Sequence, residues 1–415
     1  MNADHGVSDL SGMAPAVLQQ PVAALAHRLF DVVIAGAGPA GVTAAIRLAS
    51  AGHQVALVDK RVFPRSKACG DGLLGDSLRM LRRLELYELV RSHGHLVDAV
   101  RIFSPSQYAV DIPGEFMTIR REVLDFLLAR AAVDRGATFA VAEVTSLAEE
   151  SDRVVARCSG TNVGVTGRLA VVATGADIRL MPSRTKATAE QRRATALRCY
   201  ARSSVSLDRL IVTFDRSILP GYGWIFPLGN QEYNLGCGVF DRGAGRRRPN
   251  LRDMFHTLVE RFPPARELMA HGAFTSSIKG APLRCGLTGV PAYAGGRIVV
   301  VGEATGTTFP FTGEGIGKAM ETGALAADHV SRALTAGSLE PLSHLPHVLQ
   351  TTLEPRYRGY QVAERWLSHA WMSDFLIKRA GRSPYLQRAA AGVLNESIDP
   401  EEIFSWRGLV TSLAN

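Results

Sequence analysis

Gly36-Ala37-Gly38-Pro39-Ala40-Gly41, followed by an acid at Asp59, carries the residue types and spacing that hold the pyrophosphate of a dinucleotide. The first glycine permits a tight turn after a strand, the second lets the backbone approach the phosphates, and the third lets the following helix pack close to the sheet. The helix that this turn opens, with Pro39 and Ala40 in the turn before it, directs its free N–H groups and the positive end of its dipole toward negative charge. Asp59, with Lys60 beside it, stands where a carboxylate can accept hydrogen bonds from ribose hydroxyls. The elements needed to position these groups surround them. Residues 31–35 form a short apolar strand, 41–51 a helix of small residues and 54–58 a second buried strand, a βαβ unit that implies a parallel sheet.

That turn serves NAD and FAD alike. A second glycine segment selects FAD: Gly302-Glu303, then Phe309-Pro310-Phe311-Thr312-Gly313-Glu314-Gly315-Ile316, again between a strand (297–301) and a helix. It places a strand end and a helix start where a phosphorylated polyol and a ring would lie, and the helix N-terminus there stabilises negative charge on the pyrimidine side of a reduced flavin. An ordinary strand-to-helix connection has no use for so much glycine and proline.

The 415 residues, 46% hydrophobic and 21% charged, are enough for two or three domains. The net charge of +8 comes in short clusters such as Arg246-Arg247-Arg248 and Arg192-Arg193, a weak pointer to anionic partners and none to nucleic acid. Five cysteines, Cys69, Cys158, Cys199, Cys237 and Cys285, lack any CxxC pair, so neither a disulfide framework nor a metal site is indicated, and a cytoplasmic setting fits. The start shows no secretory pattern and no stretch approaches the roughly 20 apolar residues of a membrane span.

The expected fold is α/β: a Rossmann-type FAD-binding domain (29–98, 118–190 and 296–335) interrupted by an antiparallel-sheet substrate domain (99–117 and 191–295), with a helical C-terminal region (336–415). An arm (1–28), or a short helix over 14–29, precedes it, and a single helix is expected over 77–90.

Four segments give the chain its resemblance to the geranylgeranyl reductase family, among the FAD enzymes that include aromatic hydroxylases and flavin-dependent halogenases. They are the turn at 36–41, Lys67-Ala68-Cys69-Gly70-Asp71-Gly72, Pro220-Gly221-Tyr222-Gly223-Trp224-Ile225-Phe226-Pro227, and 302–317. The resemblance implies that Arg121, with Arg120 as its rival, lies beside the FAD pyrophosphate. It sets Lys67, Ala68 and Cys69 close to the flavin, Gly175 at the segment closing the nucleotide domain, and Gly313, Gly315 and Ile316 at the flavin ring. Gly302 and Glu303 take the place of a Gly-Asp pair on the ribityl chain, and the extra methylene of glutamate implies a displaced backbone or a lost contact. Cys69, Tyr222 and Trp224 are the implied catalytic residues, and Tyr222, Trp224, Phe226 and Phe309 the implied substrate contacts.

The three aromatics are two apart on a strand, which puts them on one face, with Gly221 and Gly223 leaving the other nearly bare. The implied activity is delivery of hydride from reduced FAD to a carbon–carbon double bond of an isoprenoid-like small molecule or lipid, free or tethered to a carrier protein. Only one complete fingerprint is present, so electrons would arrive from transient NAD(P)H or a protein donor. The alternatives are a flavin monooxygenase, oxidase or halogenase, and a non-catalytic flavin or carrier-docking protein; a Tyr-x-Trp strand in place of Trp-x-Trp counts against halogenation. In the C-terminal region Trp366, His369, Trp371, Phe375 and Tyr385 alternate with Arg365, Lys378, Arg379 and Arg382, a pattern for core packing, or for peripheral contact with the inner face of a membrane.

Overall fold

Leu29–Ala35, Pro39–Ser50 and Val55–Asp59 are the strand, helix and strand of the βαβ unit in a computed structural model of the chain. It describes residues 19–162, 164–181, 193–240, 249–310 and 312–405; Phe311, Arg192, the 246–248 arginine cluster and most of the N-terminal arm lie outside them. Among these, an eight-stranded sheet has the parallel core Thr138–Val141, Val55–Asp59, Leu29–Ala35, Gly164–Val172 and Ile298–Val300, with Val154–Cys158 and Val144–Glu149 added antiparallel at one edge. Its central strands carry apolar runs over 32–35, 55–58 and 169–172 because both faces are covered there: Val32, Ile34 and Leu57 are fully buried on one side, Val33 and Val58 on the other. Each such side chain contributes about 1.5–3 kcal/mol.

The fingerprint helix is built of small residues because it is squeezed. A Cβ on Gly41 would stand 1.9 Å from the Gly36 carbonyl oxygen, and one on Gly323, in the helix Ile316–Ala336, would stand 2.2 Å from that of Ala40. These two helices therefore seat one against the other and against the sheet, and both N-termini converge on one place.

The second sheet has nine strands. Arg193–Ser203, Glu232–Phe240, Tyr222–Gly229 and Leu210–Thr213 run antiparallel in that order, and His95–Phe103 pairs parallel to the last of them. The sheet begins earlier and ends later than expected around residues 99–117, taking in His95–Phe103 and Ala109–Thr118 whole. The helices Leu345–Leu367, Ala370–Ala380 and Pro384–Leu394 then return across the space between the sheets.

Two expected helices differ. Over 14–29 the described part is a short strand, Gln20–Pro21, a 3-10 turn, Val22–Leu25, and the start of the first sheet strand; Pro21 has no N–H to give a helix interior, and the segment pairs with Thr138–Val141 instead. Over 77–90 there are two helices, Gly75–Arg83 and Tyr87–Arg91. Glu85 takes a left-handed φ of 60°, with the N–H of Leu86 on the Leu81 carbonyl and that of Glu85 on Arg82, a Schellman end that turns both Leu84 and Leu86 into the core.

Candidate functional site

Between the two sheets and the C-terminal helices lies a cavity of about 670 Å³. The glycine turn forms one end of it. Gly36 has φ +109°, and a Cβ there would meet the Ala173 carbonyl oxygen at 2.3 Å, so this glycine is demanded by the chain itself. Gly38 is different: its backbone is extended, and its Cβ would find only Arg65 Nη2, at 3.9 Å. The space it leaves open belongs to the cavity. Pro39 occupies the first turn of the helix, where its missing N–H costs nothing, and Ala40 follows it at the cavity wall. Asp59 Oδ2 accepts the Ala37 N–H at 2.8 Å and Oδ1 that of Arg61 at 2.9 Å, which fixes the carboxylate at the turn with lone pairs to spare.

Positive charge gathers at the same end. Arg121 opens the helix Arg121–Asp134 and forks onto Asp125, both bonds 2.9 Å, while Arg65 Nη1 reaches the same fully buried carboxylate at 3.1 Å. Two guanidinium groups share one acid, leaving a net positive wall beside Gly38, which fits a pyrophosphate. Arg121 lines the cavity, whereas Arg120 turns away to Glu122 and Glu232. Lys60 stands at the rim, 3.8 Å from Glu143 and 3.7 Å from Asp177.

Along the middle of the cavity, Lys67 and Glu303 face each other across Gly175 at 3.8 Å. Gly302 (φ +70°) packs where a Cβ would be 2.8 Å from that of Ala40, and the Glu303 carboxylate lies toward Lys67 and accepts the Arg284 N–H at 3.3 Å. Ala68 and Cys69 continue the wall, and burial pushes the Cys69 thiol up, with Arg121 opposing, so it remains a thiol at neutral pH. Gly313, Gly315 and Ile316 close the far side. Gly313 (φ +71°) leaves room for Tyr222, whose hydroxyl donates to the Thr312 carbonyl at 3.0 Å.

Tyr222, Trp224 and Phe226 share one face, ring centres 5.8 and 6.4 Å apart, and all three line the cavity. The opposite face is not bare: Met254 and Leu258 of the helix Leu251–Arg261 press where Cβ atoms on Gly221 and Gly223 would be, at 2.9 and 2.8 Å. Phe309 does not reach the cavity. It is fully buried, stacked on Tyr360 at 4.1 Å and against Tyr357 at 4.6 Å, as part of the core beneath the flavin loop.

Several residues at the cavity, or just behind its wall, have no role of their own among the sequence expectations. Asp71, fully buried with φ 64°, accepts from the Tyr200 hydroxyl at 2.6 Å, Asn234 Nδ2 at 2.8 Å and the Arg121 N–H at 3.2 Å. Burial raises its carboxyl and these donors oppose the rise. Trp224 Nε1 donates to Asn234 Oδ1 at 3.0 Å, so the aromatic wall and Asp71 are one network. Glu314 keeps both carboxyl oxygens buried without a hydrogen-bond partner, and burial with nearby Asp76 and Glu396 pushes it well above the carboxylate range. Asp71 and Glu314 stood inside segments read as characteristic, though without a role of their own; Asn234 and Tyr200 gain meaning only from cross-strand contacts.

Comparison with known proteins gives the family and the fold. Residues 30–195 match the FAD binding domain family. The chain is 32% identical to the menaquinone reductase of Mycobacterium tuberculosis over 358 residues, 81% of this chain and 82% of that one. It is 26% identical to the digeranylgeranylglycerophospholipid reductase of Methanoculleus marisnigri, over 93% and 99% of the two chains. Among solved structures, a geranylgeranyl bacteriochlorophyll reductase-like protein from Thermoplasma acidophilum shares the fold with a TM-score of 0.74 at 20% identity, covering 94% and 96%. A flavin-dependent brominase does so at 0.72 and 19%, covering 93% and 99%. The chain is thus an FAD-dependent oxidoreductase and belongs to the geranylgeranyl reductase family.

Proposed function

We propose that the protein reduces a carbon–carbon double bond of an isoprenoid-like lipid. One observation carries this reading: the cavity that begins at the glycine turn continues, past the aromatic wall, into an apolar lobe walled by Val100, Ile102, Val110, Ile112, Leu376 and Ile377. Bound in the cavity, reduced FAD supplies the hydride. Gly36, Gly38, Ala40, Asp59, Arg65 and Arg121 would hold its nucleotide and pyrophosphate, Lys67, Gly175, Gly302 and Glu303 its polyol, and Gly313, Gly315 and Ile316 its ring. An isolated alkene is a poor hydride acceptor, so Tyr222, Trp224 and Phe226 must hold it dry and in one orientation. The names of the relatives, a menaquinone and a digeranylgeranylglycerophospholipid reductase, support an apolar acceptor. NAD(P)H or a protein donor returns the electrons. Product masses after anaerobic turnover with a polyprenyl substrate test the reading: a gain of two hydrogens supports it, and product formed only in air with added oxygen or halogen overturns it.

The proton for the neighbouring carbon comes from Glu314. The Tyr222 hydroxyl is already committed to Thr312 and burial raises it further, while burial pushes the Glu314 carboxyl well up toward its neutral form, with Lys318 and Thr312 opposing. Glu314→Gln is expected to lower turnover by roughly 10²-fold with FAD content unchanged; equal turnover would remove Glu314 from this role.

Among the described residues no helix is long and apolar enough to cross a membrane. The helix Ala370–Ala380 instead divides its faces: Leu376, Ile377 and Ala380 line the cavity, while Trp371 is 68% and Phe375 40% exposed, with Lys378 over the ring of exposed Tyr108. Trp366 and Tyr385 pack inward, against Phe404 and the main core. This outer face would rest on a lipid surface beside the apolar lobe. Trp371→Ser with Phe375→Ser is expected to weaken co-sedimentation with phosphatidylcholine–phosphatidylglycerol vesicles by about tenfold or more, and unchanged co-sedimentation would exclude this face.

A further inference from the structure

Arg198 is a buried cation with two idle donors. Its residue is 2% exposed, yet Nε and Nη1 have no hydrogen-bond partner, and Nη2 makes only long contacts to Ser66 Oγ at 3.5 Å and the Lys67 carbonyl at 3.4 Å. The guanidinium lies flat on the Tyr200 ring, 3.9 Å from its centre, and lines the cavity. The nearest network acid, Asp71, is occupied by Tyr200, Asn234 and Arg121. A buried donor left without an acceptor destabilises the fold, and more so when it sits on a charged group. A fold does not keep that cost where a hydrophobic residue would fit, unless an acceptor arrives.

The sheet register shows from where. Trp224, Gly236, Arg198 and Lys279 pair in one row across four strands and so share one face. The Trp224 ring covers Gly236, where a Cβ would be 2.1 Å away, so the row is a flat floor running from the aromatic wall to Arg198 and on to exposed Lys279 at the neighbouring strand. Lys279 Nζ donates to Ser66 Oγ at 3.1 Å, which joins the buried guanidinium to the exposed ammonium through one hydroxyl. Donors on three separate side chains suit a group with several anionic oxygens, which phosphate has and a lone carbonyl has not. The FAD pyrophosphate has its own place at Gly38, Arg65 and Arg121.

We propose that Arg198, Ser66 and Lys279 form an oxyanion subsite that takes a phosphate or diphosphate group of a second ligand entering beside FAD; this rests on the reading of the cavity as the FAD site. Two ligands offer that chemistry, a nicotinamide dinucleotide reductant and a polyprenyl diphosphate or phospholipid substrate. Inorganic pyrophosphate titrated calorimetrically into FAD-loaded protein is the probe. Arg198→Met is expected to weaken its binding by about tenfold or more, and Lys279→Met by a few-fold, with the flavin spectrum unaltered; since Lys279 is exposed, the second variant tests the subsite even where the first fails to fold. A raised KM for NADPH in both variants, with the preference for polyprenyl diphosphate over polyprenol kept, assigns the site to the reductant. Loss of that preference with KM for NADPH kept assigns it to the substrate. Pyrophosphate binding equal in wild type and variants overturns the proposal. So does loss of FAD from Arg198→Met in step with pyrophosphate, which would give the guanidinium to the cofactor. A wild-type protein that is colourless from the outset would instead fail the FAD reading itself.

Discussion

Purified Gly38→Val protein is expected to be folded and colourless. The backbone of Gly38 is one that any residue adopts, and an added Cβ would meet nothing closer than the tip of Arg65, at 3.9 Å. The fold therefore tolerates it. The volume it fills, however, is the approach to the free N–H groups of the fingerprint helix, where phosphate oxygens must come within hydrogen-bond distance. Displacing them by a branched side chain is expected to weaken FAD at least about 100-fold, about 2.8 kcal/mol. Gly41 provides the contrast, because a Cβ 1.9 Å from the Gly36 carbonyl destroys packing before any ligand is involved. Melting temperature and flavin absorbance measured together separate the two. A stable Gly38→Val protein carrying stoichiometric FAD would refute the assignment of the turn.

Trp224→Ala is expected to lower kcat/KM for long apolar substrates by about 100-fold while flavin content holds. The indole is the middle of the wall, in contact with Tyr222 and Phe226 and lying on Gly236. Buried tryptophans truncated to alanine lose about 3–5 kcal/mol when closely packed on all sides; this one borders an open cavity, which places its loss at the low end. Asn234 would lose one partner, Nε1, but its amide nitrogen still reaches Asp71 and the Cys69 carbonyl, both at 2.8 Å. Comparing a short with a long prenyl substrate checks the origin of the effect. Equal losses of stability and turnover with release of flavin would make the strand core and move the substrate elsewhere.

What was legible in the sequence is what is encoded locally. The strand, glycine turn, helix and Asp59 are consecutive, so the steric demand at Gly36 and Gly41 and the vacancy at Gly38 could be read from spacing. Period-two alternation likewise put Tyr222, Trp224 and Phe226 on one face. Contacts between distant segments were not legible. Phe309 is a substrate contact by the resemblance alone, but its stacking partner Tyr360 comes from the helix Leu345–Leu367, which spacing cannot place. Gly221 and Gly223 read as a bare face, whereas they admit Met254 and Leu258. Arg198 was invisible for the same reason: only the pairing of Arg193–Ser203 with Glu232–Phe240 and Lys279–Arg284 sets it in the row of Trp224. The break at Glu85 depends on two leucines both finding the core, a tertiary preference that overrides helix periodicity.

The central claim is that electrons held by this flavin go to an apolar alkene. Stopped-flow absorbance of the FAD-loaded protein, reduced anaerobically and then mixed with a polyprenyl substrate or with air-saturated buffer, tests it most directly. The expected result is rapid return of the oxidised flavin spectrum with the polyprenyl substrate, in step with formation of the saturated product, and slower return with oxygen. Reoxidation by oxygen that is fast and indifferent to the polyprenyl substrate would contradict the claim and place the protein among flavin oxidases or oxygenases.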